Sequence, residues 1–262
     1  MRTPILLALG AGAAAFAGAW LLRAEDRRPL RDKTLPRPRR QFDNLVLGAG
    51  SLLAANAVQR SVVTPLLTRD AGRFGLARRL PAPLRPAAAF LMLDWAMYWW
   101  HRWTHTVPAL WRLHRVHHVD LDLDTSTALR FHFVDQLVSA PMRAAMVVLI
   151  GPDEKTHARW NTFFFASVLF HHANVRLPRA LEDRLALVLT TPRMHGIHHM
   201  ARKDATDSNW TSGISLWDRL HGTFRNDLGD EELPIGVPAY SAALGISTAL
   251  RLPREPVEGD WR

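Results

Sequence analysis

Residues 94–120, DWAMYWWHRWTHTVPALWRLHRVHHVD, decide the fold of this chain, because they place metal-ligand spacing at the end of an apolar run. The stretch contains five of the 13 histidines: His101, His105, His114, His117 and His118. The first two are spaced i, i+4 and the other three i, i+3, i+4, so on helices the imidazoles share one face. The stretch therefore predicts a metal site beside a membrane.

Further histidines extend the pattern. The HxxHH spacing recurs at His195, His198 and His199, while His132 begins one apolar segment and His172 ends another. His171 is about 100° round a helix from His172, so we favour His172 as a ligand and leave His171 as a possible supporting group. His157 and His221 lie outside any spaced group and are predicted not to be ligands. The predicted ligand set is His101, His105, His114, His117, His118, His132, His172, His195, His198 and His199.

Ten imidazoles exceed what one ion takes, so two metals with four or five ligands each are expected. The chain has no cysteine, which excludes thiolate zinc sites, iron–sulfur clusters and disulfides. Imidazole suits zinc, copper, iron and nickel and does not choose among them. A site at the bilayer surface is placed to receive a lipid, and attack on an unactivated C–H bond calls for metal–oxygen chemistry. Iron with O2 is the economical interpretation.

Apolar runs predict an all-α integral membrane protein. Residues 4–22 are uncharged and long enough to span a bilayer as a retained anchor, although Ala17-Gly18-Ala19 could serve as a signal-peptidase site. Further runs cover 43–67, 87–100, 134–151 and 157–172, with a tight turn at Gly151-Pro152-Asp153. The net charge of +9 comes almost wholly from arginines beside these runs, which favours cytoplasmic loops and anionic lipid over nucleic acid. This alternation places the histidines on the cytoplasmic side.

Asp94 and the tryptophans around it each have two interpretations. Asp94 lies within about 60° of Tyr98, His101 and His105 on a helical wheel, so it could accept the second ring N–H of a ligand histidine, or it could pair with an interfacial arginine. The tryptophans could form a cofactor-stacking box, but an interfacial aromatic belt explains them better.

The chain resembles the fatty acid hydroxylase/sterol desaturase superfamily of membrane non-haem di-iron oxygenases over residues 94–225. The motifs are DWAMYWWHRWTH, LWRLHRVHHVD, RFHFVD, HHANVRLP, TPRMHGIHH and DSNWTSGISLWDRLHGTF. The resemblance implies about four membrane helices, a cytoplasmic histidine-rich helical cap and two iron ions held by the ten histidines. Asn174 and Asn209 match polar residues near the site and, with Asp94, are predicted to support it.

Two positions depart from the family pattern. The family usually has His-Pro followed by glutamate where this chain has His132-Phe133-Val134-Asp135, and phenylalanine where this chain has His221. The expected organisation is an anchor and basic loop at 1–41, the di-iron domain at 42–225 and a C-terminal tail at 226–262. No cytochrome b5-like domain is recognisable, so a separate electron-donor protein is expected.

The sequence predicts an O2-dependent oxidoreductase that hydroxylates or desaturates a lipid. A non-catalytic membrane haem or metal carrier is the alternative, but transport would need ligands inside the membrane, and both HxxHH triples follow the apolar runs. A membrane zinc hydrolase is a third alternative, but three protein ligands would suffice for it, and ten predicted ligands would then be unexplained.

Overall fold

The computed structural model describes residues 21, 23–227, 234–257 and 259–261, so nearly all of the predicted anchor at 4–22 lies outside the described part. Within that part the chain is helical and has no strand, apart from an isolated bridge between Met200 and Ile235. Residues 23–27 are helical, and the α-helices after them are α1 (Arg37–Val58), α2 (Thr64–Thr68), α3 (Arg85–Thr106), α4 (Pro108–His118), α5 (Phe133–Val138), α6 (Ala140–Ile150), α7 (Glu154–His172), α8 (Arg179–Leu185), α9 (Pro192–His198), α10 (Lys203–Thr206), α11 (Leu216–Leu220) and α12 (Ile246–Arg251). The all-helical class is confirmed.

The long helices α1, α3 and α7 have 22, 22 and 19 residues. A π-helical turn over Gln59–Val63 continues α1 into α2. Helices α5 and α6 follow one another with an interruption at Ser139, just before Pro141 at the start of α6. Among the described residues, one helical stretch is long and apolar enough to cross a membrane: Phe133–Ile150, with a mean hydropathy of 1.5.

The turn between α6 and α7 is confirmed where the sequence predicts it. Gly151 ends α6 with φ of +75°, a left-handed conformation that favours glycine. Asp153 then caps α7, because its Oδ1 accepts a hydrogen bond from the Thr156 N–H at 2.8 Å. The preceding loop approaches this turn so closely that a Cβ on Gly75 would lie 2.5 Å from the Gly151 nitrogen.

The C-terminal segment packs against α4, the helix of the first HxxHH motif. Val237, Ala249 and Leu252 share an apolar cluster with Trp111 and Val116 of α4. The described part of the segment 226–262 thus belongs to the core around the histidines.

Polar contacts join α1 to the loop after α4. The buried guanidinium of Arg40 contacts the carboxylates of Asp120, Asp122 and Asp124. These three acids follow the first HxxHH motif at alternate positions, so one arginine of α1 fixes the chain where it leaves the histidine helix.

Candidate metal centre

Eight histidines converge in two buried groups. The first histidine group is His101, His105, His114 and His118, and the second histidine group is His117, His172, His195 and His199. Within each group, one ring nitrogen from every member lies within 4.8 Å of the others. All eight belong to the ten histidines predicted as ligands.

The two HxxHH motifs divide their histidines between the groups. His114 and His118, spaced i, i+4, belong to the first histidine group, while His117 between them belongs to the second. In the other motif, His195 and His199 belong to the second group. On a helix, residue i+4 lies about 40° from residue i in one direction, and residue i+3 lies about 60° from it in the other. His118 therefore points to one side of α4 with His114, and His117 points to the other, so one short helix contributes to both groups.

His198, the middle histidine of the second motif, faces the first histidine group. Its ring centroid lies 4.6 Å from that of His101, 4.7 Å from that of His105 and 4.9 Å from that of His118. Its Nε2 is buried without a hydrogen-bond partner. His198 is therefore placed to act as a fifth donor to the first group.

The second histidine group has the donor geometry of a metal site. The Nε2 of His195 lies 3.0 Å from that of His172 and 3.1 Å from that of His199, and the Nε2 of His172 lies 3.1 Å from that of His117. Nitrogens bound to one ion at about 2.1 Å lie about 3.0–3.4 Å apart. Each neutral imidazole has a single N–H, and these facing nitrogens fit lone pairs directed at one ion.

The first histidine group also has features of a metal site, which are seen in its unpaired ring nitrogens. Both ring nitrogens of His105, His114 and His118 are buried and have no hydrogen-bond partner among the described residues. Buried polar atoms without partners are costly unless something else satisfies them. The donor set therefore fits a bound metal ion in this group as well.

The buried imidazoles of the two HxxHH motifs are held neutral, which is the form that binds metal. Burial, reinforced by neighbouring imidazoles, lowers the pKa of His117, His118, His195 and His199 well below the usual histidine value. Burial lowers the pKa of His198 to about 3.

Backbone carbonyls orient three of the rings. The Nδ1 atoms of His101, His172 and His198 lie 2.7, 2.7 and 2.8 Å from the carbonyl oxygens of Trp210, Val168 and Ser208, respectively. Such a bond fixes the tautomer and leaves Nε2 for the ion. The segment around Trp210 thereby takes part in the site although it contains no ligand.

The predicted supports Asp94, Asn174 and Asn209 fix backbone segments, and none makes a hydrogen bond to the ring of a predicted ligand. Asn209, at φ of +51°, donates to the carbonyls of Met194 and Arg225 and so fixes the start of α9. Asn174 binds the backbone of Leu30 and Arg31, which tethers the N-terminal segment to the end of α7.

Asp94 does not hold a ligand histidine. Its Oδ2 accepts from the backbone N–H of Ile214 at 3.0 Å and from the Trp217 indole N–H at 2.8 Å. His101 is seven residues away, about 10.5 Å along the helix, so sharing a helical face does not bring the two side chains together. The carboxylate close to a ligand ring is that of Asp135, whose Oδ2 lies 3.8 Å from His114 Nδ1.

Sequence reasoning missed the roles of Asp135 and Trp210. Both lie in motifs that carry the resemblance, RFHFVD and DSNWTSG, and the position of the aspartate where the family has glutamate was the available signal.

His132 lies outside both histidine groups. Its Nδ1 accepts from the Val134 N–H at 3.2 Å, which caps α5, and its Nε2 lies 3.3 Å from the Leu250 carbonyl oxygen. Both ring nitrogens thus have backbone partners, because the ring turns towards the start of its own helix. The structure does not bring this predicted ligand to the centre.

The remaining histidines have distinct surroundings. His171 is buried with its ring centroid 4.0 Å from that of His195, but it belongs to neither group. His221 stacks on Tyr98 with ring centroids 4.7 Å apart and accepts from the Trp95 indole N–H at 3.0 Å. An aromatic ring thus packs at this position, where the family usually has phenylalanine.

A cavity of about 380 Å³ reaches the histidines from between the long helices. Members of both histidine groups line it, together with apolar side chains such as Trp100, Trp160 and Phe164 and a smaller share of polar ones. Leu52 of α1 and Phe165 of α7, 44% and 43% exposed, line it as well. The cavity therefore opens to the outside between α1 and α7.

Comparisons with known proteins identify relatives of this chain. The chain is 34% identical over 137 residues to an alkylglycerol monooxygenase from Danio rerio, which covers 52% of this chain and 29% of the relative. The human alkylglycerol monooxygenase is 30% identical, covering 52% of this chain and 30% of the relative. An ornithine lipid hydroxylase, OlsE, from Rhizobium tropici is 28% identical over 158 residues, covering 60% and 46%.

The chain thus spans less than half the length of these curated relatives, and no solved structure matches it significantly. The sequence profile of the fatty acid hydroxylase family matches residues 86–223. Because that match covers more than half of the 262 residues, the chain belongs to the fatty acid hydroxylase family.

Proposed function

We propose that this protein is an integral membrane lipid hydroxylase that uses O2 at a centre of two iron ions. The observation that carries the proposal is a pair of buried four-histidine groups at the end of a largely apolar cavity open between two long helices. Relatives named alkylglycerol monooxygenase and ornithine lipid hydroxylase support oxidation of a lipid, and their names favour hydroxylation over desaturation.

Nine histidines would hold the ions. The first ion would take His101, His105, His114 and His118 with His198 as a fifth ligand, and the second His117, His172, His195 and His199. Imidazole alone does not select iron, so the assignment rests on the chemistry, because oxidising an unactivated C–H bond requires a redox metal and O2. Bound iron would supply that oxidising power.

The protein's own residues would bind and orient the lipid. Trp100, Trp160 and Phe164 form walls that exclude water and hold an alkyl chain by apolar contact. Asp94, Asn174 and Asn209 would act at a distance, since each fixes a segment that carries or orients a ligand. Electrons would come from a separate donor protein.

The long helices support a multi-pass membrane topology. α1, α3, the α5–α6 pair and α7 have lengths close to the roughly 20 residues that a bilayer requires. Phe42, Leu45 and Leu53 of α1 and Leu149 of α6 are more than half exposed, as expected for side chains in lipid. In this topology the basic segment before α1 and the histidine cap both face the cytoplasm.

Metal analysis and lipid mass spectrometry test the proposal. The purified wild-type protein from iron-replete cells is expected to contain about two irons per chain, and its host to gain a hydroxylated lipid. His118→Ala and His199→Ala, one from each histidine group, should each lose iron and abolish the product. His132→Ala distinguishes the structural from the sequence-based ligand set, because the structure predicts that it keeps both irons. Bound zinc without iron, with unchanged lipids, would contradict the proposal.

A further inference from the structure

A cationic side chain lines the cavity away from the histidines. Arg143 of α6 borders the cavity together with Ser139 and Gln136, one and two turns earlier on the α5–α6 pair. Asp135 lines the cavity as well, so all the residues that the α5–α6 pair contributes to its wall are polar. A guanidinium in such a place lies on the path that a lipid would take from the opening to the histidines.

The contacts of Arg143 are all with neutral groups. Its Nε donates to the Ser139 hydroxyl at 2.9 Å, and its Nη2 donates to the Gln136 side-chain oxygen at 3.2 Å. Among the described residues, no carboxylate lies within 4.0 Å of it, and none accepts a hydrogen bond from Nη1. Two neutral partners therefore aim the guanidinium. Asp135 on the same cavity lining attracts it through space, but makes no hydrogen bond or ion pair within 4.0 Å with it.

Such an arrangement is costly in a membrane bundle unless an anion completes it. Charged residues within membrane segments are rare, face interiors or cavities, and mark functional sites. The planar guanidinium matches the two oxygens of a carboxylate or phosphate, and such charge-assisted bonds are strong. We propose that the substrate is an anionic lipid whose oxyanion pairs with Arg143, an inference that rests on the proposed lipid hydroxylase function.

The position of Arg143 also determines which carbon is oxidised. Asp135, beside His114, and Arg143 are eight residues apart on the α5–α6 pair, which is interrupted at Ser139. A lipid whose oxyanion is held at Arg143 places its alkyl chain along the apolar walls and a carbon remote from the oxyanion beside the histidines. Arg143 is thus a specificity-determining residue, and the histidines are the reacting end of the cavity.

A binding experiment that needs no turnover tests this. Bromine quenches tryptophan fluorescence on contact, and Trp100 and Trp160 line the cavity. The full-length metal-loaded protein in nanodiscs is titrated with 9,10-dibromostearate, with the matched dibromostearyl alcohol, and with dibrominated lysophosphatidate. The titrations are made at mildly alkaline pH and expressed as mole fraction in the bilayer. Wild-type protein should bind an anionic probe at least about tenfold more tightly than the alcohol.

Matched variants localise the effect. Arg143→Gln should abolish the preference for the anion, and Arg143→Lys should retain part of it. Arg159→Gln, which removes an exposed arginine outside this cavity, should bind like wild type. Thermal unfolding and metal content check that each variant is folded.

The two anionic probes identify the source of the oxyanion. Tighter binding of the stearate supports a free acid, and tighter binding of the lysophosphatidate supports a phospholipid headgroup. Equal affinity for both supports the shared oxyanion. No preference for either anion in wild type, or an unchanged preference in Arg143→Gln, would overturn the inference. Failure of the proposed function would instead appear as absence of hydroxylated lipid, whatever the binding result.

Discussion

Asp260→Asn is expected to destabilise the protein by about 3–5 kcal/mol, because it leaves a buried arginine without its counter-charge. Arg115 of α4 is 0% exposed and Asp260 is 2% exposed. The Nη1 of Arg115 lies 3.0 and 3.1 Å from the two carboxylate oxygens, which also accept from Trp111 Nε1 at 2.8 Å and from the Tyr240 hydroxyl at 3.2 Å.

Part of the interaction survives the substitution. The guanidinium keeps its bonds to the carbonyls of Leu252, Glu255 and Pro256, so we expect the loss to lie towards the lower end of that range. Because the same helix carries His114, His117 and His118, the variant should also release metal at a lower temperature than wild type.

Thermal unfolding of the purified protein, read together with metal content, provides the assay. Asp183→Asn is the matched control, because Asp183 makes an exposed i, i+4 pair with Arg179 and its loss should cost less than about 1 kcal/mol. An Asp260→Asn protein that unfolds like Asp183→Asn would refute the reasoning, since it would show that the buried pair does not hold the C-terminal segment on α4.

Three further substitutions test other contacts. Gly75→Ala should destabilise the protein by about 1–3 kcal/mol, because its Cβ would lie 2.5 Å from backbone atoms of Ile150 and Gly151. Gly50→Ala, whose Cβ meets nothing nearer than 4.0 Å, is its control in thermal unfolding, and equal melting would contradict the close approach. His221→Phe should keep both metals and change the free energy of unfolding by no more than about 1.5 kcal/mol, because the new ring retains the stacking on Tyr98 and loses one hydrogen bond. Loss of metal in this variant would show that the His221 ring takes part in metal binding. Asn174→Ala should speed proteolysis within residues 23–36, because the Leu30 and Arg31 N–H groups lose their acceptor; an unchanged cleavage rate would contradict that tether.

Spacing along helices explains why much of the centre could be predicted from the sequence. His101/His105, His114/His118 and His195/His199 are i, i+4 pairs, and each pair enters one group because helical geometry alone brings its rings together. The sequence could not predict how the histidines of one HxxHH motif divide between two groups. That division depends on which helices pack on either side of the motif, and the packing is a property of the whole fold.

Two predicted site residues lie away from the histidine groups for the same physical reason. His132 is predicted to lie on the same side of the membrane as the other histidines, but its ring nitrogens contact backbone groups of Val134 and Leu250 instead. Asp94 shares a helical face with His101, but two helical turns separate them, and the backbone of the 213–217 segment lies closer. Sequence patterns define directions around one helix, whereas contacts depend on distances between elements.

The burial of so many imidazoles implies that metal and fold depend on each other. His105, His114 and His118 each keep two buried nitrogens without partners, and each such group costs about 1–3 kcal/mol when nothing satisfies it. Binding of the two proposed ions would recover this free energy only in the folded state, so it would stabilise the fold directly. Stripping the purified protein with a chelator should therefore lower its unfolding temperature, and adding iron back should restore it. His118→Ala, with one ligand fewer, should show a smaller drop on chelation than His221→Phe, which keeps the complete set. Identical unfolding temperatures before and after metal removal would mean that the polar contacts of Arg40, Arg115 and Asn209 suffice to hold the empty centre together.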